Sequence, residues 1–113
     1  MAKGTAKDIR AFLGEGTRFE GKLFFEGTVR IDGNFQGEIH TEDTVIIGET
    51  AVIDAEIEAG EIILSGTLRG NAYAKNNMEI IAPGKMYGNI MTPCLSIQEG
   101  VIFEGSRRME QLE

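Results

Sequence analysis

The chain of 113 residues has one cysteine, one histidine, two prolines and no tryptophan. A single cysteine forms no internal disulfide, so nothing covalent staples the fold. With His40 and Cys94 alone of their types, a zinc site of three or four His and Cys ligands cannot be assembled within one chain, and no metal is expected. Cations are scarce as well, 11 Lys and Arg against 18 Asp and Glu, for a formal net charge of −7. That balance argues against a nucleic-acid partner, because phosphate affinity is built largely from clustered Lys and Arg. Neither a Gly-rich loop ending in Lys-Ser/Thr nor a dinucleotide fingerprint is present, so no nucleotide or other cofactor is expected. No apolar run approaches the roughly 20 residues of a membrane-spanning helix, and no secretion signal opens the chain, which makes a cytoplasmic location the expectation.

Glycine, by contrast, is plentiful at 15 residues, and the 42% of hydrophobic residues are laid out with a period. An apolar residue, a small residue two positions on and a second apolar residue two further on recur as Phe19-Glu20-Gly21-Lys22-Leu23, Phe35-Gln36-Gly37-Glu38-Ile39, Ile53-Asp54-Ala55-Glu56-Ile57, Leu68-Arg69-Gly70-Asn71-Ala72 and Met86-Tyr87-Gly88-Asn89-Ile90. A sixth copy, Phe103-Glu104-Gly105-Ser106-Arg107, ends on a charge, where the core should stop. A second column holds the alternating pairs Val29/Ile31, Val45/Ile47, Ile62/Leu64, Met78/Ile80 and Leu95/Ile97, at intervals of 16, 17, 16 and 17 residues. Such alternation marks strands with one buried face. A third column, Phe25, Thr41, Ala59, Ala74 and Thr92, is mostly small enough for a narrow interior. Glycines 16, 33, 48, 66, 84 and 100 fall between the pairs and the next copy, at points where the chain turns and positive φ costs glycine little.

A unit of about 17 residues with three short strands cannot close a core alone, so copies must stack. The pattern predicts an all-β, right-handed parallel β-helix of about six windings, roughly 29 Å long at about 4.8 Å per winding. A meander or sandwich explains strand signals but not six copies in register. A left-handed hexapeptide helix fits Ile39, Val45, Ala51, Ile57 and Ile63, then fails at Gly33 and Arg69. The expected organisation is a short tail over 1–11, a β-helix domain over 12–106 and a short polar tail over 107–113.

A wound sheet has no lateral edges but leaves two ends, each with unpaired backbone groups and an apolar cross-section. Stacking of further copies on these ends is the expected function, driven by apolar burial and completed backbone hydrogen bonds and requiring no nucleotide. The candidate polymerisation interface is Phe12, Leu13 and Phe19 at one end and Val101, Ile102 and Phe103 at the other. Phe12 and Leu13 read as an extended first strand, with a brief amphipathic helix from Ile9 as the alternative. A one-turn cap using Met109 and Leu112 is the alternative to a solvated C-terminal tail.

Gly14-Glu15-Gly16-Thr17, the run Phe24-Phe25-Glu26-Gly27-Thr28-Val29-Arg30-Ile31-Asp32-Gly33 with Gly37-Glu38-Ile39, and Gly66-Thr67-Leu68-Arg69-Gly70-Asn71 together resemble the bactofilins, bacterial cytoskeletal proteins. The resemblance spans roughly residues 12 to 105. It implies a right-handed β-helix that polymerises through its ends without nucleotide, lies on the inner face of the cell membrane, and scaffolds cell-wall or morphology proteins that set cell shape. Members of the family often carry proline-rich flanks and a membrane-binding N-terminal stretch, whereas only Met1 to Asp8 precede the first candidate strand here. Ile9, Phe12 and Leu13, with Lys3, Lys7 and Arg10, form a candidate peripheral membrane contact, and the same apolar set can serve as core or cap.

Cys94 reads as a small buried hydrophobe and His40 as a solvated surface residue. Outward Ile46 and Ile63, with Phe24 and Tyr73, form exposed apolar stripes for lateral bundling or a partner, or else pack shallowly under a corner. Asp54 and Glu56 lie on a strand without the groove of paired carboxylates that a polysaccharide-cleaving enzyme needs, so no enzyme is expected. The alternative to a filament is a non-polymerising adaptor that presents one face to a protein partner.

Overall fold

The computed structural model describes residues 9–108, in which ten strands and no helix occur. In chain order they are β1 Ile9–Leu13, β2 Arg18–Phe24, β3 Thr28–Ile31, β4 Asn34–His40, β5 Thr44–Ile47, β6 Val52–Leu64, β7 Thr67–Ile80, β8 Lys85–Met91, β9 Leu95–Ile97 and β10 Ile102–Arg108. Every pairing is parallel and joins a strand to its equivalent in an adjacent winding. One column stacks β2, β4, β6, β7, β8 and β10, and the other stacks β1, β3, β5, β6, β7 and β9. The architecture is the expected parallel β-helix, with about five turns of about 17 residues joining the successive rungs of each column. The strands begin at Ile9 and end at Arg108, a few residues outside the expected bounds of 12 and 106. The N-terminal segment is therefore a strand paired with β3 rather than a helix. Met1 to Asp8 and the cap residues Met109 and Leu112 lie outside the described residues.

Like stacks on like because the register repeats the sequence columns. Phe19 pairs with Phe35, Val29 with Val45, Ile31 with Ile47 and Met78 with Leu95. Phe35, Ile53, Leu68 and Met86 of the first column and Val45, Ile47, Ile62 and Leu64 of the second are fully buried. The third column fills the remaining corner with Thr41, Ala59, Ala74 and Thr92, all buried. Its hydroxyls are satisfied locally: Thr41 Oγ1 donates to the Gly27 carbonyl at 3.1 Å and accepts from the Asp43 amide at 3.1 Å. A buried hydroxyl left without such partners costs about 1–3 kcal/mol.

The glycines divide differently from expectation. Of the six between the alternating pair and the next copy, Gly16 and Gly100 have positive φ, 89° and 94°, while Gly33, Gly48, Gly66 and Gly84 do not. Those four are required by space: a Cβ on Gly33 lies 2.6 Å from the Gly14 carbonyl oxygen, and one on Gly84 lies 2.8 Å from that of Ile81. Positive φ belongs instead to the centre of the Phe-x-Gly column, at Gly21, Gly37, Gly70, Gly88 and Gly105, with values from 131° to 139°. At those five positions the first-column strand passes through a left-handed residue in mid-course while its pairing continues on both sides. Ala55 is the sole non-glycine of that column, and no non-glycine among the described residues has positive φ.

Candidate functional site at the two ends of the helix

Among the described residues, interior rungs have neighbours on both sides, but the end rungs do not. β1 pairs only with β3 and β2 only with β4, while β9 pairs only with β7 and β10 only with β8. Among the described residues, each end therefore presents two strands whose outer backbone groups lack a ladder partner. The apolar columns run out to the same ends. Leu13, Phe19, Leu23 and Phe25 at one, and Leu95, Ile97, Val101 and Phe103 at the other, are partly buried and pack against the core. Phe35, the equivalent of Phe19 one rung in, is fully buried. Phe19 stacks on Phe35 with centroids 5.0 Å apart and planes at 10°, so one ring face meets the core and the other faces the end. At the opposite end Arg107 pairs with Ile90, which places a charge where the column has been apolar, and its guanidinium stands 5.9 Å from the centroid of the Phe103 ring.

Of the expected interface residues, Phe19, Leu13, Val101 and Phe103 are brought to the ends of the core. Ile102 pairs with Lys85 on the lateral face and is 44% exposed, outside the apolar cross-section. Phe12 and Ile9 lie in β1, and their side chains are outside the described ones. Leu13, also in the candidate membrane set, serves the core, one of the roles that set left open. Leu23, Phe25, Leu95 and Ile97 complete the ends and were not singled out. They belong to the same three sequence columns, so extending each column to its last member finds them.

Two surface readings are corrected. His40 is not simply solvated: Nδ1 is 2.9 Å from Glu58 Oε1, Nε2 is 3.0 Å from Glu38 Oε1, and the ring stacks on Phe24 at 4.6 Å between centroids. The hydrogen bond to Glu38 raises its pKa above the ordinary imidazole value, against an opposing desolvation and with Glu58 adding to the rise, and the same bond lowers the pKa of Glu38. Cys94 is exposed rather than buried, because the turn that follows Thr92 carries it off the strand; its amide reaches Thr92 Oγ1 at 3.4 Å. Phe24 and Tyr73, 66% and 37% exposed, share one outward column with His40 and Glu58. Ile46 and Ile63 form a separate, half-buried column between Arg30 and Glu79.

A family model described as "Bactofilin: Polymer-forming cytoskeletal" matches residues 11–108. The chain belongs to the bactofilin family. Among curated bactofilins it is 28% identical over 116 residues to BacP of Myxococcus xanthus, covering 96% of this chain and 48% of BacP. It is 24% identical to BacO of the same organism, covering 89% of this chain and 80% of BacO. The chain thus spans about half the length of BacP. Among solved structures it is similar to a Thermus thermophilus bactofilin reconstructed by cryo-EM as double helical filaments, with a TM-score of 0.74, 25% identity, and coverage of 86% of this chain and 96% of that one. The bactofilin β-helix accounts for the strand-only fold and its period of about 17 residues. No helix among the described residues is long and apolar enough to cross a membrane.

Proposed function

We propose that this bactofilin is a scaffold subunit that self-assembles without nucleotide into filaments, by end-to-end stacking of β-helices, and that the filaments support cell shape or hold cell-wall factors in place at the inner face of the membrane. The observation that carries this reading is the coincidence, at both ends of the described residues, of an open parallel ladder with partly buried apolar side chains beyond which no described strand lies. Joining two ends buries the apolar residues at about 25 cal/mol per Å² and supplies partners for the edge amides and carbonyls. Family membership and the filamentous Thermus relative support the same reading. The interface comprises Phe19, Leu13 and Phe12 at one end and Phe103 and Val101 at the other, with Leu23, Phe25, Leu95 and Ile97 beside them. Peripheral membrane contact falls to Ile9 and Phe12. No catalytic role is proposed: Asp54 faces Arg69 at 3.8 Å and Glu56 accepts a hydrogen bond from Asn71 at 3.4 Å, so the two carboxylates are engaged along the ladder rather than paired across a groove.

Electron microscopy of the purified chain without nucleotide tests the proposal. Long thin filaments are expected. Discrete particles of one or a few subunits would mean that the ends are capped, and would favour an adaptor that presents one face to a protein partner.

A further inference from the structure

The lateral face, from the first rung to the last, carries a feature distinct from the apolar cross-section. Three recesses adjoin along the axis. The first, about 240 Å³, lies among Phe24, His40, Glu58 and Lys75. The second, about 250 Å³, shares His40 and Glu58 and reaches Glu56 and Tyr73. The third, about 580 Å³, shares Tyr73 and extends past Asn89 to Arg107. Together they make a shallow groove across the rungs, and at about 4.8 Å per rung its length of roughly 24 Å matches about seven residues of extended chain.

We infer that this groove docks an extended cationic segment of a partner protein, laid along the rod axis with its Lys or Arg side chains at the Phe24–Tyr73 end. Charge complementarity carries the assignment. Glu56 and Glu58 line that end, Glu38 stands beside it on His40 Nε2, and Glu38 and Glu58 each give His40 a single oxygen, Oε1. The nearby Lys75 is held by both oxygens of Glu42, at 3.0 and 3.2 Å, and Lys22 stands beside Glu38. The exposed rings of Phe24 and Tyr73 offer π faces next to these carboxylates. A guanidinium can meet both needs, with forked hydrogen bonds to a carboxylate and a flat cation over an aromatic ring.

The remaining chemistry sets direction and mode. Arg107 closes the far end and repels positive charge there, and the amides of Asn71 and Asn89, themselves joined at 3.1 Å, leave the middle polar and neutral. The backbone groups of β4, β6 and β7 are already committed to neighbours on both sides, so the segment is read by side chains and does not add as a strand. Glu56, Glu58 and Tyr73 lie on interior rungs of one chain, so the inference does not depend on whether copies stack.

The test uses the purified full chain and a nine-residue fluorescein-labelled peptide of alternating Arg and Ser, followed by anisotropy, with a Glu/Ser peptide of equal length as the control. Saturable binding of the Arg/Ser peptide alone is expected. Glu56→Gln with Glu58→Gln should weaken it about tenfold or more, as expected for charge contacts in a docked complex, and Tyr73→Ala should weaken it several-fold. Glu49→Gln with Glu99→Gln removes the same charge from exposed turns outside the groove and should leave binding within about twofold. Equal weakening by the two double variants would reduce the effect to net-charge attraction and overturn the proposal, as would an absence of binding. Unchanged peptide binding with altered lateral bundling in Glu56→Gln/Glu58→Gln would overturn it in favour of a second copy as the occupant.

Discussion

Gly88 shows how little room a rung leaves. Its φ is 139°, and an added Cβ would stand 2.8 Å from the carbonyl carbon of Gly70 and 3.1 Å from its nitrogen. Gly88→Ala therefore combines a left-handed backbone with collision against backbone that cannot give way, and should cost roughly 1–3 kcal/mol of stability in a chemical denaturation curve. A Gly88→Ala protein as stable as wild type would mean that the rungs separate more easily than this packing allows. His40 gives a test at the same scale. A neutral imidazole has one N–H, so both contacts, to Glu38 and to Glu58, are hydrogen bonds only when the ring is protonated. Its pKa is raised in the folded chain, so its contribution is complete below the unfolded value of about 6.5 and is lost as pH rises through the folded value. Glu38, whose pKa is lowered, contributes above its unfolded value of about 4.3 and loses that contribution as pH falls through the folded one. The difference in melting temperature between wild type and His40→Gln should accordingly be greatest between about pH 4.5 and 6.5 and shrink towards pH 9. A difference that grows with pH would contradict the doubly bonded imidazolium.

Among elements, the inward columns are what the sequence made legible, and the corners are what it hid. Val45, Ile62 and Met78 recur because a stacked strand offers each winding the same apolar neighbour, and this is visible in any one-dimensional copy of the chain. The continuous course of β6 and β7 through the corner is not visible in that way. It depends on Gly60 and Glu61 both donating to the Asp43 carbonyl, at 2.9 and 3.0 Å, and on a register shift between Ala59 and Glu61 that absorbs the unequal lengths of adjacent windings. The roles of the glycines were hidden for a related reason: alternation marks where side chains point, whereas positive φ at Gly37 and close approach at Gly33 are properties of the backbone. The surroundings of His40 are hidden in the sequence because two of its three partners, Phe24 and Glu58, are 16 and 18 residues away and meet it only when the windings stack. The legible columns make their own prediction. Ile62 is fully buried between two rungs, while Leu95, in the same column, is half-buried at the last. In a monomeric background Ile62→Ala should cost about 2–5 kcal/mol by denaturation and Leu95→Ala clearly less. Equal costs would place a cover over the last rung.

For the whole molecule, the proposed end-to-end assembly predicts that each end can be disabled by a change that costs the interior little. Phe103 is half-buried on the last rung, so Phe103→Arg forfeits part of one contact within the subunit, roughly 1–2 kcal/mol, but sets a second cation beside Arg107 on a surface that must be desolvated to stack. Gly21 is the complementary case. In the interior of the column a Cβ on Gly37 meets the Gly21 carbonyl carbon at 2.8 Å, whereas among the described residues a Cβ on Gly21 meets only Phe19 Cε1 at 3.8 Å, because no described rung lies beyond it. Gly21→Ala thus carries the penalty of a positive φ of 134° but no clash inside the subunit, and its methyl group projects where a stacked neighbour would bring its backbone. Both variants should retain a cooperative thermal transition and a wild-type far-ultraviolet spectrum. If both ends serve assembly, each variant alone should stop growth at dimers or shorter species by sedimentation, while the two combined should give monomers. If Gly21→Ala still forms long filaments and Phe103→Arg does not, the first rung is excluded from the contact and assembly runs through the last rung and a different surface.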